Sequence, residues 1–443
     1  MNRWCLQIGI ASQQDRWKTP SFVVVWWVPP EERTLLPNAV RGPQRTLAIR
    51  LETARLGTTP IDNMKSTRAK TLKWATIWDS VSRTRVPRSY SCTLRPRPVC
   101  LHAVLLLAWI TAASAEAQTA LRELLPPLGF KIAYESYADG NSDILVMNAD
   151  GSNPAKLTQT PTEQEHYPQV STDGSKICFV SDVGEGRDTV RSVYVMDIDG
   201  SNRKKIADHA REPFWSPDGK VIGFLPQEFP KFDVVDFSTK GMSFYELATG
   251  KITPHVNSAK LHHLYNPGWS ANGKWIVATV HAGMGFGHAI LLIEAHGNKI
   301  IDLKIPGCRP CFSPDGKYVA WGAEDHDLAA APINLEADQP AVGKWSMQIK
   351  DEQNKIYHVD WSPDSQFVAF SRGPDSGGDP SKPGTHQAAA EIHGVYAKGW
   401  NICVVKVDRA ANLHLDKATD ADLLILTTNG LSNKEPAWFR PGH

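Results

Sequence analysis

The 443-residue chain has almost no surplus charge: 48 Lys and Arg stand against 47 Asp and Glu, a net +1 at pH 7. That balance removes the electrostatic footprint of a nucleic-acid or acidic-membrane binder, so no nucleic-acid partner is expected. Cysteine is sparse. Of seven in the chain, only Cys178, Cys308, Cys311 and Cys403 follow residue 118, too few for a disulfide scaffold. "CRPC" at 308–311 has no second C-x-x-C to complete a zinc site. On a strand its two thiols would point to opposite faces, so no bridge between them is expected. The sequence lacks a G-x-S-x-G elbow, which argues against serine-hydrolase chemistry. It also lacks an apolar run that would span a bilayer comfortably as a permanent helix.

The amino-terminal part differs in character from the rest. Residues 1–94 are rich in Arg and Trp without regular apolar periodicity, and are expected to be an over-long translation start or a disordered extension. Residues 95–117 read "RPRPVCLHAVLLLAWITAASAEA". A basic flank (Arg95, Arg97), an apolar stretch from Val99 to Ile110 and a small-x-small site at Ala113–Ala115 or Ala115–Ala117 predict a secretory signal peptide. No lipid-attachment cysteine follows, so a soluble monomer without stable membrane insertion after cleavage, periplasmic or secreted, is expected. Residues 118–130 are expected as a short linker.

Beyond residue 130 one phrase recurs: "HYPQVSTDGSKICFV" from His166, "REPFWSPDGKVIGF" from Arg211, "YNPGWSANGKWIVA" from Tyr265, "CRPCFSPDGKYVAW" from Cys308, "YHVDWSPDSQFVAF" from Tyr357 and the unfinished "KEPAWFRPGH" from Lys434. Repeats of this length with only strand signals between turns predict propeller blades. Ser-Pro-Asp-Gly suits a type I turn, with Ser first, Pro setting φ and Gly closing. The apolar run after it is a strand buried on both faces. The aromatic before it (Trp215, Trp269, Phe312, Trp361, Trp438) should pack between neighbouring blades. Asp150-Gly151, Asp199-Gly200 and Gly250 mark a second hairpin. "KIAYESY" at 131–137 matches a second strand with no first strand before it, and "KEPAWFRPGH" is a first strand with no second after it. The fold class is therefore all-β: a six-bladed β-propeller of four-stranded antiparallel blades over 131–443, closed by a blade split between the two ends of the repeat region.

This register sorts residues by rim. Turns within each hairpin pair fall on one rim, and the longer loops between the second and third strands and between blades fall on the other. His166, His209, His255, His262, His263, His281, His288, His326, His358, His386 and His393 are assigned to the loop rim, and His296, His414 and His443 to the turn rim. At the entrance of each inner strand the equivalent position carries Tyr167, Glu212, Asn266, Arg309, His358 and Glu435, six polar or amphipathic residues beside a near-constant proline. With His262 and His263 they form the candidate binding set at the loop rim and channel mouth. His281, His288, Asp325, His326 and Asp327, from the loops of two successive blades, are the candidate ligands for a divalent metal ion, the one cofactor such a set would take. The glycines of "VHAGMGFGHA" at 280–289 do not follow the strand-to-helix pattern of a phosphate cradle. The Gly/Pro-rich insertion at 373–400 is a lid or an inert excursion on the same rim.

The "x-P-x-W-S-P-D-G-K" phrases with "DGSN" hairpins between them resemble the TolB family of WD40-like propellers, a resemblance covering about 131–443. It implies a periplasmic or secreted binding scaffold whose loop rim engages an envelope protein or carbohydrate ligand. The repeat style is also similar to that of oligogalacturonate lyases, which implies the alternative of a metal-dependent carbohydrate-active enzyme.

Overall fold

The computed structural model describes residues 120–230, 237–374 and 398–442, all within one compact unit, Leu94–His443. The expected extension, the export segment and most of the 373–400 insertion, with His386, His393 and His443, lie outside the described residues. The stretch expected as a bare linker contains helix α1 (Leu121–Leu124) and a 3-10 turn (Pro126–Leu128), and Leu121 and Leu125 are buried in the core. Its leucines cover apolar strand surface that would otherwise face water.

Blade 1 opens with β1 (Lys131–Ala138), β2 (Asn141–Asn148) and β3 (Ala155–Lys156). Blade 2 is β4 (Glu163–Val170), β5 (Lys176–Val183), β6 (Val190–Asp197) and β7 (Lys204–Asp208). Blade 3 is β8 (Ala210–Trp215), β9 (Val221–Pro226), β10 (Ser243–Glu246) and β11 (Ile252–Pro254). Blade 4 is β12 (Leu264–Trp269), β13 (Trp275–Gly283), β14 (Phe286–Glu294) and β15 (Ile300–Asp302). Blade 5 is β16 (Cys308–Phe312), β17 (Tyr318–Glu324), β18 (Asp327–Pro332) and β19 (Met347–Lys350). Blade 6 contains β20 (Asn354–Trp361), β21 (Phe367–Pro374) and β22 (Asn401–Lys406), and beyond them come β23 (Leu413–His414) and β24 (Leu423–Ile425). The last strand, β25 (Ser432–Phe439), pairs with β1 and supplies the missing inner strand of blade 1.

The inner strands touch in the closed cycle β25, β4, β8, β12, β16, β20 and back to β25. The six-bladed ring with a split blade is thus as expected. One strand departs from the four-strand rule: β23 leaves its own blade and pairs in parallel with β19, giving blade 5 a fifth strand. The tight turn expected there is replaced by an excursion that carries His414 to the neighbour's outer edge.

The turn phrase works as its chemistry predicts. In blade 3 the Gly219 N–H donates to the Ser216 carbonyl (2.9 Å), the Ser216 hydroxyl to Asp218 (2.7 Å), and the Val221 N–H to Ser216 Oγ (2.9 Å). Gly174, Gly219, Gly273 and Gly316 close these turns at positive φ, and Ser365 takes the same conformation where blade 6 has no glycine. The aromatic before each turn packs on the preceding blade. Trp215 joins the core of blade 2, Phe312 that of blade 4, Trp361 that of blade 5 and Trp438 that of blade 6. The indole N–H groups of Trp215 and Trp361 donate across the blade boundary to the carbonyls of Gln169 (2.8 Å) and Cys311 (3.3 Å).

Packing inside a blade gives a sharp test. A Cβ on Gly223 would lie 2.3 Å from the Phe214 ring, whereas one on Gly268, the counterpart of Phe214 in blade 4, meets nothing closer than 3.8 Å. Gly223→Ala is expected to lower stability by about 1–3 kcal/mol, through overpacking. Gly268→Ala should stay within about 0.5 kcal/mol. Urea unfolding midpoints of the two variants decide this, and equal midpoints would refute the packing argument.

Candidate functional site

Every inner strand carries one extra residue midway. Three of its steps face two of its partner's between His166 and Gln169, Arg211 and Phe214, Tyr265 and Gly268, Cys308 and Cys311, Tyr357 and Asp360, and Lys434 and Ala437. The residue at each bulge is left-handed: Tyr167 (φ 56°), Glu212 (51°), Asn266 (45°), Arg309 (54°), His358 (57°) and Glu435 (55°). These are the six positions the sequence register singles out. Five precede proline, but His358 precedes Val359 and keeps the conformation, so the bulge sets it. For a residue with a Cβ the left-handed region costs about 1–2 kcal/mol. Such strain persists where the surroundings over-determine it, commonly at functional sites.

The bulge turns backbone N–H groups toward the preceding blade. Tyr167 N–H donates to Glu135 (3.4 Å), Arg309 N–H to the Thr279 hydroxyl (2.9 Å) and Glu435 N–H to the Ser371 hydroxyl (3.1 Å). Those three acceptors occupy one equivalent second-strand position. In blade 3 that position holds Leu225, and Asn266 N–H is instead bonded by the Glu212 carboxylate. The side chains do not stand in solvent as a collar at the mouth would. Five are buried and Asn266 is half-buried, against residues of the adjoining blades. His358 Nε2 lies 3.0 Å from Glu435 Oε1, and the Arg309 guanidinium sits over the rings of Tyr265 (5.7 Å) and Tyr357 (5.2 Å).

A second tier lies one residue earlier on each strand, at the residues that open each repeat phrase: His166, Arg211, Tyr265, Cys308, Tyr357 and Lys434. Of these the sequence marks only His166, as a rim histidine, and Cys308, in "CRPC". It meets buried charges from neighbouring strands. Arg191 holds Asp182 through two hydrogen bonds of 2.7 and 2.6 Å, and His166 Nδ1 lies 3.6 Å from Glu135. Burial pushes the Asp182 carboxyl up, but Arg191, His166 and Arg211 outweigh it and hold it below its usual range. Glu135 likewise is held low against its burial by His166, Lys434 and His358. The signal that could have found them is a charged residue inside an apolar strand run, as in "KIAYESY".

A third tier, two residues past each bulge, includes the partly exposed Cys311 and Asp360. Cys311 Sγ donates to Asp360 Oδ1 (3.3 Å) and Trp438 N–H to Asp360 Oδ2 (2.7 Å). Enclosure pushes the Asp360 carboxyl up to about 6 and the Cys311 thiol well above its usual range. The four cysteines among the described residues, Cys178, Cys308, Cys311 and Cys403, are free thiols.

The loop rim above the bulges carries imidazoles. His281 and His288 are cross-strand partners with rings 5.6 Å apart, and His288 Nε2 lies 3.0 Å from the Tyr265 hydroxyl. Partial burial, with His281 and Arg309 nearby, lowers the His288 pKa and favours its neutral form. Phe237 lies 4.4 Å from the His281 ring and 6.1 Å from that of His263. His263 also meets the Ala282 carbonyl (2.9 Å) and Glu228 (3.6 Å), whereas His262 turns to the Ala259 carbonyl (3.1 Å). His255 lies in its assigned inter-blade connection but is buried rather than standing on the rim. It follows β11 in the connection to blade 4, with its N–H on the Met242 carbonyl (2.9 Å), but its side chain turns inward and its Nε2 meets the Glu294 carbonyl (2.9 Å) between blades 3 and 4.

The candidate metal ligands fall into two groups. His281 and His288 belong to blade 4. On blade 5, Asp325 is engaged by Tyr357 OH and by Lys355 Nζ (2.9 Å), His326 Nδ1 meets the Asn354 carbonyl (2.8 Å), and Asp327 faces Lys350 (3.5 Å). Burial raises the Asp325 carboxyl pKa, but Tyr357 and Lys355 outweigh it and hold it low. Among the described residues, the trio whose donor atoms all lie within 4.8 Å of one another is a different one: Glu352, His414 and Asp416, at the outer edge of blade 5.

No family model and no curated protein matches this chain. Solved structures do. The crystal structure of TolB from Acinetobacter baumannii aligns at 17% identity over 70% of this chain and 66% of that one, with a TM-score of 0.47. In fold, the chain is similar to TolB. It spans just under two thirds of that protein's length. A chain of a nidogen–laminin complex aligns at 8% identity over 71% of this chain and 100% of that one, TM-score 0.45. Oligogalacturonate lyase in complex with manganese aligns at 12% identity over 66% of this chain and 77% of that one, TM-score 0.40. No helix among the described residues is long and apolar enough to cross a membrane.

Proposed function

We propose that the protein is an exported binding propeller that captures an envelope protein or carbohydrate on its loop rim. The observation supporting this reading is the contrast between the two rims. On the turn rim, the Ser and Asp side chains of each turn are bonded within that same turn, as in Ser171–Asp173, Ser216–Asp218, Ser313–Asp315 and Ser362–Asp364. On the loop rim, His281, His288 and the half-buried Asn266 stand over a floor of strained, hydrogen-bonded bulges in which Tyr167, Glu212, Arg309, His358 and Glu435 are locked. Donors and acceptors on a rigid floor bind without a large ordering cost. His262 and His263 extend the surface over blade 4's entrance. Export rests on the 95–117 pattern.

The test compares capture from an envelope extract and binding on a glycan array by the wild type, the His281→Ala/His288→Ala variant and the turn-rim variant Lys220→Glu. Loss confined to the histidine variant, with an unchanged unfolding midpoint, is the expected result. Retention by the histidine variant, or loss in Lys220→Glu, would reject the loop rim as the binding face.

A further inference from the structure

The excursion between β22 and β24 reaches another blade and is held there by little pairing. β23 meets β19 through only two residue pairs, Ile349 with Leu413 and Lys350 with His414. The sequence "LHLDK" at 413–417 alternates. Leu413 and Leu415 are buried in the blade 5–blade 6 core beside Met347, Ile349 and Ala410. His414 is extended (φ −102°, ψ 114°), so it points away from that core. Asp416, two residues on, lies beyond the core-facing Leu415.

Glu352 approaches from the turn after β19. That turn is fixed by Asp351, which is buried and accepts from the N–H groups of Gln353 and Asn354 (2.9 Å each) and from Arg372 Nε (2.5 Å). The clamp turns Glu352 outward, where it is exposed. The His414, Asp416 and Glu352 donor atoms come within 4.8 Å of one another. His414 Nδ1 is shielded from solvent and has no hydrogen-bond partner among the described residues. A buried ring nitrogen without a partner is costly. Two neighbouring carboxylates also repel each other unless a cation sits between them. Lys417, 3.6 Å from Asp416 and largely exposed, is a loose counter-ion.

We propose that Glu352, His414 and Asp416 form a zinc-class divalent metal site that staples the β23 excursion of blade 6 to the edge of blade 5. One imidazole and two carboxylates suit a borderline cation such as Zn²⁺. Ca²⁺ needs six to eight oxygen ligands and is not served by this set. The site is distinct from the loop-rim histidines. Its metal acts on the structure, by supplying a cross-blade link where the strand pairing is shortest.

The test titrates metal-stripped full-length protein with Zn²⁺, Mn²⁺ and Ca²⁺, following heat of binding and thermal unfolding. A single equivalent of Zn²⁺ should bind tightest and raise the unfolding midpoint, and amides at 413–416 should exchange more slowly. Glu352→Gln, on an exposed turn, should weaken Zn²⁺ at least about tenfold, and His414→Ala more. Lys417→Ala should tighten binding, because it removes a competing charge. His281→Ala/His288→Ala should leave it unchanged. The proposal is overturned if Zn²⁺ fails to stabilise the wild type, if Glu352→Gln binds like the wild type, or if the His281/His288 variant is the one that loses the metal.

Discussion

Trp438→Ala should cost about 3–5 kcal/mol and loosen two blades together. Trp438 is buried among Phe130, Ile132, Phe367, Ala369, Ile402 and Val404, so its ring belongs at once to the split blade and to blade 6. It meets Phe130 edge-on at 6.3 Å. Its strand, β25, is tied to β1 along its length and by the hydrogen bond from Ser136 to Asn433 (2.8 Å). Trp269 is the internal comparison. It is half-buried, its indole N–H bonds within its own turn to the Gly273 carbonyl (2.9 Å), and Trp269→Ala should cost visibly less. Trp438→Phe should recover most of the loss, because the Trp438 indole N–H has no acceptor among the described residues. Urea unfolding with hydrogen exchange reads both parts. Equal losses for Trp438→Ala and Trp269→Ala, or protection kept throughout β25, would refute the assignment of Trp438 as the seam's anchor.

Asp360→Asn is expected to stabilise the protein at neutral pH and not in acid. The folded carboxyl titrates near 6 and the unfolded one near 3.8. Below pH 3.8 both states hold the proton and the group is neutral to stability. As pH rises through 3.8 the unfolded carboxyl ionises first, so the wild type loses stability until about pH 6 and then levels off. The gap corresponds to at most about 3 kcal/mol, reduced by the water that reaches this partly exposed site. Asparagine keeps the oxygen that accepts the Trp438 N–H. Asp182, Asp351 and Glu135, whose pKa values are lowered, pull the whole-protein profile the other way. The informative quantity is therefore the difference between variant and wild type across pH 3.5–8. A difference that is flat with pH, or that grows toward acid, would show that Asp360 is not held neutral by its enclosure.

The sequence exposes some of this architecture and hides the rest for physical reasons. Turn chemistry is local, so Ser216, Asp218 and Gly219 announce a blade without reference to anything distant. Trp438 and "KIAYESY" could be joined because each is half of a phrase seen whole elsewhere. The positions of Tyr167, Glu212, Asn266, Arg309, His358 and Glu435 follow from the same alignment. Their left-handed bulges do not, because only pairing against the second strand reveals the extra residue. Nor does their burial, which depends on side chains of the neighbouring blades such as Glu135, Thr279 and Tyr357. The pairing of Cys311 with Asp360 joins residues 49 apart, and that of Tyr357 with Asp325 joins residues 32 apart, with no motif linking either pair. The register places His414 on a hairpin turn because a third and fourth strand normally adjoin. The alternation of Leu413 and Leu415 around His414 is the sign in the sequence that this segment lies on a surface of its own.

The seam also dictates an order of events. Ser136 and Asn433 are 297 residues apart, yet they meet in one pair of strands. Closing a loop of that length costs about 5 kcal/mol of chain entropy, against far less for the hairpins within a blade. Contacts this distant in sequence set the pace of folding. The blades can therefore assemble in succession from β4 onward while β1 waits. Until β25 arrives, β1 presents a row of open N–H and C=O groups, the edge on which another chain can pair. The interval between making the first strand and making the last is the molecule's period of greatest exposure to aggregation, and it ends only when the final eight residues of strand dock.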